Sequence, residues 1–375
     1  PLQQNLPVVP IHDLIIKDSD LILATHGRAF WVLDDLTPIR AAQDSSNANA
    51  ALFAPRQTVR YMTMRGFGGG VGTGNNYQAA AASLVTYRMV PDSNGGQTQK
   101  PLDAGQNPPD GVIVNYFLGD TTDEVRLTFS DAAGNEITSF SSKADQASKN
   151  GAKKPAVPAK PGLNRFVWNM RYPDAVSVPG ALFRSGGVTG PAAPPGRYSV
   201  TLTVGDQAFT QPFEIVKDPR VPATQADFDA QFALLREIQD KLSAVHTGVN
   251  QVREIRAQIE SWEKRSADRD DAVPIHEAAQ ALKQALTNVE EEMIEPRLKA
   301  SKDPLHFPLK LNNQLAALAS NVASADAAPT KSEREVFEVL SAKADKELAR
   351  LGKLVEDDLA RFNQLIENST LPIVG

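Results

Sequence analysis

The chain has 375 residues and a mass of 40.5 kDa, a length typical of two or three domains. Its net charge of -6 and pI near 5.5 lack the basic balance that phosphate binding requires, so we expect no nucleic-acid partner. No apolar run approaches the roughly 20 residues of a spanning helix, so we expect no membrane span. The absence of cysteine excludes disulfides, thiolate nucleophiles and cysteine-bound zinc.

The first segment, residues 1–40, contains short apolar runs separated by the turn sequences DSD and HGR. This pattern predicts three strands, at Ile11–Lys17, Leu21–Thr25 and Ala29–Leu33. In the last of them, alternation places Phe30 and Val32 on one face and Trp31 and Leu33 on the other. Both faces are apolar and need cover that three strands alone do not supply.

Residues 41–109 are rich in Ala, Asn, Gln, Gly and Pro. This composition predicts a connector without regular structure, except for one strand at Ser83–Val90.

Residues 110–219 alternate apolar and polar residues in six stretches, which is typical of strands. These stretches are GVIVNYFLG, EVRLTFSD, EITSFSS, LNRFVWNMRY, RYSVTLTVG and QAFTQPFEIV. Six strands of this kind, joined by turn sequences rich in Gly and Pro, predict a β-sandwich.

Residues 220–375 show helical periodicity, beginning with the capping-box sequence TQAD at Thr224. Apolar residues follow at intervals of three and four up to Trp262, which predicts a helix about 55 to 60 Å long with a narrow apolar seam. Further helices are predicted at Val273–Glu295, at Leu309–Ala323 and after a second capping box at Thr330. Together they predict an antiparallel helical bundle.

Three stretches carry a resemblance to a known family. The sequence VPIHDLIIKDSDLILATHGRAFWVLDDLTPIR resembles the last blade of bacterial BNR-repeat, sortilin-like β-propeller proteins, which are often described as glycosyl hydrolases. The stretches GQNPPDGVIVNYFL, RFVWNMRYP and PPGRYSVTLTVGDQAFTQPFEIVKDPR resemble the immunoglobulin- or fibronectin-like sandwich that follows the propeller. The helical region, including DPLHFPLKLNNQLAALA, resembles the C-terminal end of such proteins.

The resemblance implies a multidomain chain, β then α: a propeller-blade remnant, an Ig-like sandwich and a helical bundle. It implies that the chain is a C-terminal region whose upstream propeller is missing, consistent with the absence at Pro1 of an initiator Met or signal-peptide pattern. It also implies a periplasmic or secreted bacterial location. The chain departs from the family because it has no upstream blades and no S-x-D-x-G-x-x-W box.

The function we expect is therefore that of a non-catalytic accessory region that supports the propeller and binds a protein or polysaccharide partner. The alternative is a fragment of a sialidase-like glycosyl hydrolase whose active site lies upstream, in which case the sandwich would present an exposed aromatic platform. A third interpretation is an independent adaptor whose long helix pairs with another chain, leaving its seam uncovered.

The most tempting chemical cluster is His12, Asp13, His26 and Asp34, since two imidazoles and a carboxylate on adjacent strands suit a metal ion. The spacing is not a ligand signature, because successive residues of a strand point to opposite faces. The competing interpretation is turn chemistry, with His26 in the bend and Arg28 paired with Asp34 or its neighbour.

Other motifs have equally ordinary explanations. The DSD of Asp18–Asp20 suits calcium or, more simply, a hairpin turn, and GFGGGVGTG suits a flexible loop because no G-K-[ST] follows. The run EEEMIE at Glu290–Glu295 suggests a solvated helix face. Adjacent carboxylates also occur at 34 and 35, 270 and 271, and 357 and 358, but neighbours in sequence do not report a catalytic pair across a cleft.

The aromatic rings and remaining imidazoles favour structural roles. The tryptophans are expected in cores rather than on carbohydrate platforms, and the histidines in capping or packing. These residues are Trp31, Trp168, Trp262, His246, His276 and His306. No residue is therefore assigned a catalytic, cofactor-binding or metal-ligating role, and no cofactor is expected.

Overall fold

The computed structural model describes residues 6–44, 48–62, 74–80, 83–91, 97–102, 109–120, 123–143, 154–266, 272–300 and 302–369. β-Sheets are followed by a helical C-terminal region. Contacts divide the chain into two compact units. The β-rich unit comprises Pro1–Gln146, Lys153–Met170 and Pro195–Asp218, and the helical unit includes Arg171–Pro194 and Pro219–Gly375.

The chain begins with a three-stranded antiparallel sheet in the order β1-β2-β3. Its strands are β1 (Ile11–Lys17), β2 (Asp20–Thr25) and β3 (Phe30–Leu33), which confirms the three predicted strands to within one residue at each end. The first hairpin turns through Asp18 and Ser19 alone, with φ of 51° and 72°. Two successive positive φ values suit the right-handed twist of a two-residue hairpin.

The strand predicted at Ser83–Val90 forms, but the described part of residues 41–109 contains further strands, so the prediction of one strand there is wrong. A short helix, α1 (Thr37–Asp44), leads into this region, and its described residues form five strands: β4 (Ala50–Leu52), β5 (Thr58–Arg60), β6 (Gly74–Ala80), β7 (Ser83–Pro91) and β8 (Gln97–Pro101). β6, β7 and β8 form a sheet of their own in that order. β4 and β5 are three residues long, too short to show a periodicity, and pairing with distant strands defines them.

The predicted strands of residues 110–219 all form, and they build two sheets. They are β9 (Val112–Leu118), β10 (Val125–Ser130), β11 (Glu136–Ser141), β12 (Gly162–Trp168), β13 (Gly196–Val204) and β14 (Gln207–Lys217). One sheet has the order β11-β10-β13-β14-β5 and the other the order β12-β9-β4. All neighbours are antiparallel except β14 and β5.

The two sheets share an aromatic core. Phe129 of β10 stacks on Trp168 of β12 with ring centroids 4.6 Å apart, and Phe140 of β11 lies 4.8 Å from Phe166 of β12. Trp168 is wholly buried. Because these contacts join residues of different sheets, the alternating apolar residues of both sheets face one interior.

The helical unit contains α2 (Gln225–Arg265), α3 (Val273–Met293), α4 (Leu311–Val322), α5 (Lys331–Lys353) and α6 (Ala360–Glu367). Both predicted capping boxes form, at Thr224 with Asp227 and at Thr330 with Glu333. A π-helical stretch, Leu354–Leu359, joins α5 to α6. The five helices share one hydrophobic core.

Residues 171–194 also belong to the helical unit, although the sequence suggested a single β-domain over residues 110–219. Ala175 and Val178 lie within the helical core, and Ala181, Phe183 and Val188 pack against it. This segment forms no helix and carries no regular periodicity, so its local pattern contains no sign of the helices it contacts.

Candidate functional site: the two-faced sheet

The sheet β1–β3, called the two-faced sheet below, carries apolar side chains on both surfaces. Residues paired across neighbouring strands point to the same side. On the first face the register aligns Leu14 with Leu23 and Trp31, and Ile16 with Leu21 and Leu33. On the second face it aligns Ile15 with Ile22 and Val32, and Ala24 with Phe30. The alternation predicted for β3 thus extends across all three strands.

Each face carries exposed apolar side chains on an outer strand, whereas the residues of β2, Trp31 and Leu33 are half-buried. Every residue of β1 is exposed, and the exposed fractions reach 60% for Leu14 and 58% for Ile15, which lie on opposite faces. On β3, Phe30 is 75% exposed and Val32 54%. Contiguous exposed apolar surface of this kind marks interaction sites in folded proteins. The two-faced sheet is therefore the strongest candidate functional surface among the described residues.

Polar contacts hold the β1–β2 turn in place. The Arg56 guanidinium forms an ion pair of 2.6 Å with Asp20 and donates a hydrogen bond of 3.0 Å to the main-chain oxygen of Asp18. Asp20 also accepts a hydrogen bond from the main-chain N–H of Asp35. A hydrogen bond from the Lys17 ammonium holds the pKa of the Asp18 carboxyl below its ordinary value. The carboxylates of DSD therefore serve the hairpin turn.

The histidine cluster is only partly assembled. The rings of His12 and His26 stack with centroids 5.0 Å apart, while Asp13 accepts a hydrogen bond from the adjacent Leu14 N–H. Within the described ranges, no group of three or more His, Asp or Glu residues is arranged to hold a metal ion. The structure thus brings the two imidazoles together without the carboxylate that the metal interpretation requires.

Several other motifs fall differently from expectation. The glycines at 66–72 of GFGGGVGTG and the carboxylates at 270 and 271 lie outside the described residues.

The prediction of a solvated face for Glu290–Glu295 is wrong at both ends. Glu290 is 2% exposed and binds Arg253 and Arg256 at 2.7 and 2.8 Å, and Glu295 is 4% exposed and binds Arg297 at 2.7 Å. Arginine pairing is what makes burial of these carboxylates tolerable.

One of the three tryptophans lies in a core and the other two are half-buried. Trp168 is buried, Trp262 is half-buried beside the helical core, and Trp31 is half-buried on the first face of the two-faced sheet. The Trp31 indole donates a hydrogen bond of 2.9 Å to the main-chain oxygen of Arg28. The core interpretation is therefore confirmed for Trp168. The predicted pairing of the Arg28 side chain with Asp34 or Asp35 is not formed among the described residues, and Asp35 instead accepts hydrogen bonds from Thr37.

The histidines of the helical unit make ordinary polar contacts. The ring of His246 is buried against the main chain of Val176, and His276 Nε2 lies 2.8 Å from the Ser266 hydroxyl. His306, beside the short 3₁₀ turn Asp303–Leu305, is exposed.

One open cavity of about 260 Å³ lies in the helical unit. The charged residues in its lining are Arg253, Glu295 and Lys299, and the first two are already engaged in the ion pairs with Glu290 and Arg297. The remaining lining residues are Pro, Gly, Ala, Leu and Ile. This lining offers neither a nucleophile nor a carboxylate pair, so the cavity does not suggest hydrolytic chemistry.

Two features that the competing interpretations of the sequence require can be compared with the structure. From Leu234 to Ile259 the seam of α2 is buried in the core that it shares with the other helices, so it is not left free to pair with another chain. The aromatic core residues of the two packed sheets point inward, as Phe129, Phe166 and Trp168 show. Neither an open helical seam nor an exposed aromatic platform is formed by the described residues of these elements.

Comparison with known proteins identifies no relative. No protein-family model matches the chain, and no curated protein does. A solved structure described as pT26-6p aligns with 98% of this chain at 8% sequence identity and a TM-score of 0.15, a similarity too low to indicate a shared fold. The chain spans 65% of that protein's length. Among the described residues, no helix combines the length and apolar character needed to cross a membrane.

Proposed function

We propose that this chain is the non-catalytic accessory region of a larger extracytoplasmic β-propeller protein. In this proposal the two-faced sheet belongs to the last propeller blade, the two packed sheets form an immunoglobulin- or fibronectin-like sandwich, and the helical unit completes the region. The region supports the propeller and binds a protein or polysaccharide partner. The occupant proposed for the two-faced sheet is β-sheet of the upstream propeller.

The observation that carries the proposal is that both faces of one three-stranded sheet are apolar and include exposed side chains. A sheet at the surface of an ordinary domain covers one face and leaves the other polar. A propeller blade differs, because blades are arranged radially and each has a neighbour on both sides. The paired rows Leu14-Leu23-Trp31 and Ile15-Ile22-Val32 provide one apolar surface for each neighbour.

The free strand edges support the same proposal. A propeller blade contains four strands, whereas this sheet has three, and β1 and β3 each pair with β2 alone among the described strands. Three strands with two exposed apolar faces are not expected to be stable by themselves. A fourth strand along a free edge, together with a sheet on each face, would complete the missing pairing and burial.

The absence of cysteine from these 375 residues permits a direct test, because peptide mass spectrometry then assigns any label in this region to the introduced cysteine. Ile16→Cys probes the first face, Phe30→Cys the second, and Val339→Cys on α5, 55% exposed, serves as the control. We expect a maleimide to label all three positions readily in the 375-residue chain. In the protein as the source organism makes it, we expect positions 16 and 30 to be protected and position 339 to stay reactive.

The intact mass of the native protein provides a second readout. The proposal requires a covalent mass well above 40.5 kDa, or a companion chain that remains bound in native mass spectrometry. A native protein of this mass without a companion, or equal labelling at all three positions, would contradict it. Protection of only one face would contradict the two-neighbour arrangement and indicate a one-sided partner instead.

A further inference from the structure

A row of side chains on α2 binds the main chain of residues 173–184, which we call the strap. The five side chains recur at intervals of four and three residues, so they lie on one face of the helix. They are Gln239, Ser243, His246, Asn250 and Arg253, and they bind the main chain at Pro173, Val176, Ser177 and Pro179. The strap is thus held chiefly through its backbone.

The far end of the strap is held by α4. The side-chain oxygen of Asn313 accepts a hydrogen bond of 2.9 Å from the Arg184 N–H, and its nitrogen donates one of 3.0 Å to the Leu182 oxygen. Val178 and Phe183 contribute apolar contacts to the helical core. The strap therefore closes over buried surface of α2 and α4.

His246 is the one titratable group near neutral pH in this row. Its ring is completely buried, Nδ1 donates a hydrogen bond to the Val176 oxygen, and the Phe183 ring lies 6.0 Å away. Its Nε2 is buried without a hydrogen-bond partner among the described residues. Donation from Nδ1 to a carbonyl leaves Nε2 unprotonated in the neutral ring. Protonation would place an N–H and a charge where no acceptor is present.

We propose that His246 is a pH-sensitive latch that holds the strap while its ring is neutral and releases it when the ring is protonated. Release exposes the ring to water, which is the simplest way for the charged form to become solvated. The strap would then open locally while the sheets of the β-rich unit stay folded. This inference does not depend on the proposed propeller.

The charged groups of the surrounding elements favour release over compensation. On α2 itself, the positive charge of Arg253 disfavours protonation of His246. The buried carboxylates of the neighbouring helices are engaged, Glu290 of α3 with Arg253 and Arg256 and Glu347 of α5 with Arg350. Helix α4 contains no ionisable residue.

The strap itself contributes two charged groups. Asp174 accepts a hydrogen bond from the Gly190 N–H, and the Arg184 side chain is exposed. Neither supplies a free carboxylate to the buried ring.

The direction of the pH effect follows from these contacts. Burial, the largest cause, lowers the pKa of His246 below its ordinary value of 6.5. The strap-closed state then binds fewer protons than the open state, so closure is favoured above the ordinary pKa and is lost as pH falls toward the lowered pKa. Between these two pKa values, the equilibrium constant for strap opening should increase by up to about tenfold for each unit by which the pH falls.

The test is hydrogen exchange of the full chain from pH 7.5 to pH 5, corrected for intrinsic exchange rates and read by mass spectrometry. We expect peptides that cover residues 173–184 to lose protection as pH falls, while β9 and β12 keep theirs. His246→Asn retains a donor near the Nδ1 position but does not titrate, so its strap should show little pH dependence. His276→Asn is the matched control and should keep the wild-type response.

Three results would overturn the latch. They are an unchanged strap in the wild type at low pH, the same pH response in His246→Asn, and equal loss of protection across the whole chain. If His246→Asn does not fold, nitrogen NMR of the wild-type imidazoles decides the question. A His246 ring that is charged near neutral pH while the strap stays protected refutes the proposal, and a neutral Nδ1–H ring that becomes charged only with strap opening supports it.

Discussion

The two-faced sheet and the pair of packed sheets are built from similar strands but differ sharply in burial. In β9, VIVNYFL, Val112, Val114, Tyr116 and Leu118 are wholly buried, whereas every residue of β1, IHDLIIK, is exposed. The alternation of a strand decides which residues share a face, but an opposing sheet decides whether that face is buried. The difference separates a completed core in the packed sheets from a sheet whose outer strands keep apolar side chains exposed.

The largest effect on stability is expected when the aromatic ring at the centre of the packed sheets is removed. Trp168→Ala removes the stacking partner of Phe129 and leaves a cavity in a fully buried site. We expect the free energy of unfolding to fall by about 3–5 kcal/mol. Urea unfolding, followed by far-ultraviolet circular dichroism, measures it. A loss no greater than that of Trp31→Ala, on the half-buried first face, would show that the packed sheets are not the tighter region.

A glycine substitution in the packed sheets should have an effect of intermediate size on the free energy of unfolding. Gly111 has φ of +140°, and a Cβ there would overlap the Trp168 carbonyl oxygen and lie 2.9 Å from Val167 Cγ1. We expect Gly111→Ala to destabilise the chain by about 2–3 kcal/mol, because strain and overlap add.

Gly162 provides the matched control, because its φ is +93° and a Cβ there has no atom within 4 Å. Gly162→Ala should therefore cost about 1 kcal/mol, from strain alone. Equal effects of the two substitutions in the same urea unfolding experiment would argue against close packing of Gly111, which precedes β9, against the end of β12.

The smallest effects are expected on the two-faced sheet. Phe30→Ser and Val32→Thr change side chains that are 75% and 54% exposed, so we expect changes within about 0.5 kcal/mol. The same substitutions should reduce concentration-dependent association in analytical ultracentrifugation, because they remove exposed apolar surface. A loss of more than 1 kcal/mol would mean that these residues are buried within the chain itself.

Local patterns predicted most of the elements. The strands β1–β3 follow from short apolar runs and turn residues, and the starts of α2 and α5 follow from the capping boxes at Thr224 and Thr330. These features depend on residues a few positions apart, so they are visible in one sequence. The short strands β4 and β5 were missed because their only distinguishing property is a distant partner, β9 for β4 and β14 for β5.

By itself, the sequence determined which residues share a face of each strand and which residues form the apolar seam of α2. Its composition also excludes cysteine chemistry. Only the tertiary structure decided which faces are covered. It buried Glu290 between two arginines, placed the strap on α2 against His246, and left apolar side chains exposed on both faces of the two-faced sheet. The physical reason is that burial depends on contacts between residues far apart in the chain, and a local pattern carries no record of its partner.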